Sequence, residues 1–88
     1  MDIPIEQARN LGPKTAQEIS SIGITTLEQL QEIGWENACI QIATAYPHRC
    51  NLNMFTAIIG AIENEDWRKI SPSLKQQAKN LCNELKGK

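Results

Sequence analysis

A chain of 88 residues with a formal net charge of −1 is long enough for one hydrophobic core and too short for a large buried active site. The near balance of 9 basic against 10 acidic side chains argues against a strong electrostatic nucleic-acid binder, which carries a clear basic excess. The odd number and wide spacing of Cys39, Cys50 and Cys82 argue against a disulfide framework or a zinc site and suit a reducing cytoplasm.

In chain order, Ile3-Pro4-Ile5 and Glu6 to Arg9 predict a short first helix that ends at the turn Asn10-Leu11-Gly12-Pro13. Gly12 lacks a Cβ, so it is read as the residue free to take a positive φ or to let a ligand backbone approach; Pro13 suits the first turn of the next helix. That helix begins at Pro13 or Lys14, turns Ala16, Ile19 and Ser20 inward, and stops at Gly23. Thr25 and Glu28 have the spacing of a capping box, worth on the order of 1 kcal/mol, ahead of a helix whose apolar side is Leu27, Leu30 and Ile33 and which Gly34 closes. Trp35 to Tyr46 places Ala38, Cys39, Ile42, Ala43 and Tyr46 three and four apart, as an amphipathic helix requires, and Pro47 prevents its continuation.

Asn51 is positioned to cap the following helix, in which Leu52, Met54, Phe55, Ala57, Ile58, Ile59, Ala61 and Ile62 cover nearly the full circumference. Such a helix is central. Gly60 within it costs about 1 kcal/mol relative to alanine unless another helix packs closely there, so it is read as a close-contact point. A short turn around Asp66 to Ile70 precedes Ser71-Pro72, the N-cap and first residue of the last helix. Leu74, Ala78, Leu81 and Leu85 form one stripe of that helix, and Lys75, Lys79 and Lys86 a neighbouring one. No alternation is long enough for a strand. The predicted fold is all-α over residues 1–88: a compact bundle of about five short helices, SAM-domain-like, with an N-terminal helix-hairpin-helix. No membrane span is expected, because Glu63, Glu65, Asp66 and Arg68 interrupt the apolar region before the roughly 20 residues needed.

The chemistry concentrates at the first turn. Lys14 and Thr15 fall where a helix N-terminus presents free N–H groups and the positive end of its dipole. Asn10-Leu11-Gly12-Pro13-Lys14-Thr15-Ala16 resembles the hairpin of helix-hairpin-helix domains, which often reads Gly-Ile-Gly-Pro-Lys-Thr-Ala and holds nucleic-acid backbones without reading sequence. Here Asn10 replaces the first glycine, and asparagine tolerates a left-handed backbone better than most residues.

Taken in order, Asn-Leu-Gly-Pro-Lys, Ile22-Gly23-Ile24, Leu52-Asn53, Gly60-Ala61-Ile62 and Asp66-Trp67 resemble the C-terminal domain of the TfoX/Sxy competence regulators, from about Arg9 to Leu85. The resemblance implies a bacterial helical domain that either accompanies an N-terminal α/β domain or stands alone, in a family associated with transcriptional activation of DNA-uptake genes. This chain looks like the stand-alone form. The expected partner is the DNA backbone, bound weakly and with strong salt dependence through Arg9, Gly12, Lys14 and Thr15, and through Lys75 and Lys79 if the last helix lies on the same side. The alternative is a regulatory protein or a second copy, because residues 15–66 are acidic apart from Arg49 and residues 67–88 are basic apart from Glu84.

The remaining candidates read as structural. His48-Arg49-Cys50 is a capped loop, since His48 is the only histidine and no further ligands have zinc spacing. Trp35 and Trp67 are expected in the core, Trp67 sealing the last helix against the central one; Cys39 and Cys82 act as small hydrophobes, and loop position makes Cys50 the most reactive thiol. With no paired carboxylates, histidine network, glycine-rich nucleotide loop or ligand cluster, the expectation is a non-enzymatic domain without cofactor or metal.

Overall fold

The computed structural model describes residues 3–8 and 10–87, apart from the side chain of Trp67. Five α-helices follow one another: α1 (Pro13–Ser21), α2 (Leu27–Ile33), α3 (Trp35–Ala45), α4 (Leu52–Glu63) and α5 (Pro72–Lys86). Three-residue 3₁₀ turns occupy Ile5–Gln7, Pro47–Arg49 and Trp67–Lys69, and no β-strand occurs among the described residues.

The predicted punctuation accounts for most of the boundaries. Gly23 and Gly34 have φ of 95° and 88°, the left-handed values that a Cβ disfavours. Gly34 ends α2 and also caps α3, so a single residue makes the corner between them. Asn51 accepts from the Met54 N–H at 2.8 Å to open α4, and Ser71 accepts from the Leu74 N–H at 3.3 Å to open α5.

Two local expectations are corrected. The first helix is only the 3₁₀ turn Ile5–Gln7, because the backbone around it pairs with the α1–α2 connection instead. Pro4 and Thr26 form an isolated antiparallel bridge, the Ile5 N–H donates to the Thr25 carbonyl at 3.0 Å, and the Leu27 N–H donates to the Ile3 carbonyl at 2.8 Å. Arg9, where that helix was predicted to end, lies outside the described residues. The cap of α2 is shifted by one residue: Thr26, not Thr25, accepts from the Gln29 N–H at 3.2 Å, while Gln29 Oε1 accepts from the Thr25 N–H at 2.7 Å. Glu28 is engaged elsewhere, its carboxylate accepting from the Ile3 N–H at 2.9 Å, and that bond holds it below its ordinary pKa. Thr26→Ala should therefore cost about 1 kcal/mol in urea unfolding and Thr25→Ala clearly less. Equal losses would restore the predicted register.

The core is built around α4, with Phe55, Ile58 and Ile59 essentially without exposure. Against it pack α2, α3 and α5, which contribute Leu30, Ala38, Cys39, Ile42, Ala78 and Cys82. Gly60 is the predicted close-contact point, but the neighbour is not another helix. A Cβ there would meet the Asn10 side-chain amide and lie 2.8 Å from the Glu65 carbonyl oxygen. The missing side chain thus lets the first turn reach the C-terminal end of α4.

Candidate nucleic-acid interface

Asn10, not Gly12, carries the left-handed backbone, with φ of 71°. Gly12 is extended, at φ −81° and ψ 172°. The reason is tertiary: Asn10 Nδ2 donates to the Glu65 carbonyl at 2.7 Å, fastening the turn across a separation of 55 residues. Leu11 is buried behind it. A Cβ on Gly12 would meet no atom within 4 Å, so the protein's own packing does not demand glycine there.

The N-terminal end of α1 is open. Gly12 provides no side-chain cap, and Gly12, Pro13 and Lys14 are all exposed. The Ala16 N–H donates back to the Gly12 carbonyl at 2.9 Å. Pro13 has no N–H, which leaves the amides of Lys14 and Thr15 as the donors of the first turn without an acceptor among the described residues.

The Thr15 side chain turns the other way. Its Oγ1 accepts from Arg49 Nη2 at 2.8 Å, while Arg49 Nε donates to Glu18 Oε1 at 2.9 Å. The Glu18 side chain is 9% exposed and that of Arg49 26%, so a nearly buried carboxylate is neutralised by a partly covered guanidinium. Thr15 and Arg49 line a cleft of about 330 Å³ together with Asn51, Asn53, Met54 and Ala57. Sequence reasoning missed this pairing. A signal was available: Glu18 flanks the inward-facing Ile19, and Arg49 is the one basic residue in the acidic span 15–66.

The lysines of α5 differ. Lys75 is half-buried with Nζ 3.4 Å from the Arg68 carbonyl, whereas Lys79 is exposed. Glu65, which holds Asn10, lines a depression of about 210 Å³ with Glu63, Lys69, Ile70, Ser71 and Leu74. The turn and the start of α5 therefore meet at one junction. Lys75 is next to it, and acidic side chains share it.

Trp35 is half-buried and packs on the core, while the side chain of Trp67, expected to seal α5, lies outside the described residues. His48 meets the Tyr46 ring edge-on at 6.1 Å. Among the described residues no group of His, Cys, Asp or Glu is arranged to hold a metal ion. Cys50 is buried, and burial first, then Cys82, pushes its thiol above the ordinary range, although at 9% it remains the most exposed of the three thiols.

These features define a small all-helical domain in which a glycine-proline turn opens the first helix and long-range side-chain bonds hold it in place. Residues 1–81 match the family model of the TfoX C-terminal domain, and the chain belongs to that family. The crystal structure of an uncharacterized protein from Listeria monocytogenes, in a triclinic form, has the same fold, with a TM-score of 0.90 over 96% of this chain and 94% of that one at 23% identity. No curated protein sequence matches the chain. No helix among the described residues is long and apolar enough to cross a membrane.

Proposed function

We propose that this domain is a non-enzymatic, cytoplasmic binding module with a regulatory role, which contacts the nucleic-acid backbone through the open end of α1. The observation that carries this reading is the uncapped, exposed first turn, whose Lys14 and Thr15 amides have no acceptor among the described residues and to which the exposed Lys14 adds a positive charge. The open space around Gly12 leaves room for a phosphate. Arg9 belongs to the same proposed contact, and Lys75 and Lys79 extend it along α5. A chain of net charge −1 binds DNA weakly and loses that binding as salt rises. Membership in the TfoX C-terminal domain family is what supports the regulatory part of this reading.

The second reading is association with a regulatory protein or a second copy. Its support is the segregation of charge, with exposed Glu32 and Glu36 on α2 and α3 and exposed Lys79 and Lys86 on α5. Titration of isotope-labelled protein with a short duplex separates the two. At low salt the amides of Gly12, Lys14 and Thr15 should shift, moderate salt should reverse the shift, and Lys14→Gln should lower the slope of log affinity against log salt by about 1. Unmoved amides at low salt reject the nucleic-acid reading. A sedimentation mass that rises with concentration favours self-association.

A further inference from the structure

We propose that Cys50 and Cys82 form a thiol pair that a peroxide closes to a disulfide, stapling α5 to the turn that carries Arg49. The two cysteines are 32 residues apart, which is why their spacing suggested no framework. The fold sets them side by side. Cys50 Sγ lies 3.9 Å from the Cys82 carbonyl and Cys82 Sγ 3.8 Å from the Cys50 carbonyl. Each thiol thus lies against the backbone of the other residue, so the two side chains are neighbours, the first condition for a disulfide. Cys39 is buried as well but takes no part in the exchange.

Access and polarity favour Cys50 as the first to react. It lines an open cavity of about 500 Å³ with Ala43, Thr44, Pro47, Leu85 and Lys86, while Cys82 lies behind it with 4% exposure. Lys86, four residues after Cys82, lines the same cavity, and its charge favours the Cys50 thiolate. Burial opposes this and holds the Cys50 thiol above its ordinary range.

The chemistry balances with one peroxide. The Cys50 thiolate attacks a peroxide oxygen, the O–O bond breaks, and one water leaves a sulfenic acid on Cys50. The Cys82 thiolate then attacks that sulfur, the S–O bond breaks, and a second water departs as the S–S bond forms. Two thiols lose two electrons, and hydrogen peroxide is reduced to two waters. The closed loop ties α5 to the junction before α4, beside the Arg49 that holds Thr15 and Glu18. This inference is independent of the nucleic-acid reading.

The test treats the folded protein with hydrogen peroxide, blocks remaining thiols, and maps linked peptides by mass spectrometry without reduction. A Cys50–Cys82 peptide with Cys39 left free is expected, together with a Tm higher by roughly 10 °C that dithiothreitol reverses. Cys82→Ala should instead leave a Cys50 sulfenic acid that dimedone traps. The proposal is overturned if peroxide leaves all thiols reduced, if Cys39 is linked as readily, or if linkage needs denaturant; wild-type mapping decides this even where the variant does not fold.

Discussion

Replacing Gly60 by alanine is expected to lower the unfolding free energy by roughly 2–3 kcal/mol, although alanine is the better helix former by about 1 kcal/mol. The added methyl would collide with the Asn10 side-chain amide and lie 2.8 Å from the Glu65 carbonyl oxygen. The asparagine amide is able to swing aside, at the loss of its 2.7 Å bond to that carbonyl. The carbonyl has less freedom, because the Glu65 N–H donates to the Gly60 carbonyl at 2.9 Å in the turn that ends α4. Adding Asn10→Gly should therefore restore only part of the loss, about 1 kcal/mol, since it removes one obstacle and leaves the backbone one. Urea unfolding of the two single variants and the double variant gives the coupling directly. A neutral or stabilising Gly60→Ala would show that the turn does not approach α4 this closely. The same substitution should shift the amides of Gly12 and Lys14, because Asn10 is what fixes their turn to the rest of the fold.

Arg49→Met should be at least as costly, at about 3 kcal/mol. The change leaves the Glu18 carboxylate 9% exposed and without its cation, and it also removes the donor to Thr15. Exposed ion pairs are worth a fraction of 1 kcal/mol, but stripping one partner from a buried pair costs several, because the remaining charge has lost both water and counter-charge. The 26% exposure of the Arg49 side chain places this pair between those limits, nearer the buried one on the side of Glu18. Pairing Arg49→Met with Glu18→Gln should recover most of the loss, and the double-mutant cycle isolates the interaction. A cost below about 0.5 kcal/mol for Arg49→Met would mark the pair as an ordinary surface contact. Arg49→Lys should not rescue, since one ammonium does not reproduce the separate Nε and Nη2 bonds to two acceptors.

What was legible from residues alone was local. Pro13, Pro47 and Pro72 restrict φ, Gly23 and Gly34 permit it, and Asn51 and Ser71 supply oxygens to orphan amides, so helix boundaries follow from each residue's immediate covalent chemistry. The apolar circumference of α4 likewise announced a central helix, because a helix apolar all round must be covered on every side. Where two neighbouring choices were nearly equal in energy, as between Thr25 and Thr26, the cap was chosen by the distant Ile3, which occupied Glu28.

Everything that shapes the candidate site depended on such distant partners. Asn10 with Glu65, Glu18 with Arg49 and Cys50 with Cys82 are 55, 31 and 32 residues apart. Each pair is an isolated polar or sulfur contact with no periodicity to betray it. The sequence by itself determined an all-helical chain, its punctuation and its central helix, since those follow from backbone conformational limits and apolar periodicity. The tertiary structure alone decided which turn residue is left-handed, which charge is buried and which thiols meet, because these depend on how separately formed helices pack to satisfy buried polar groups.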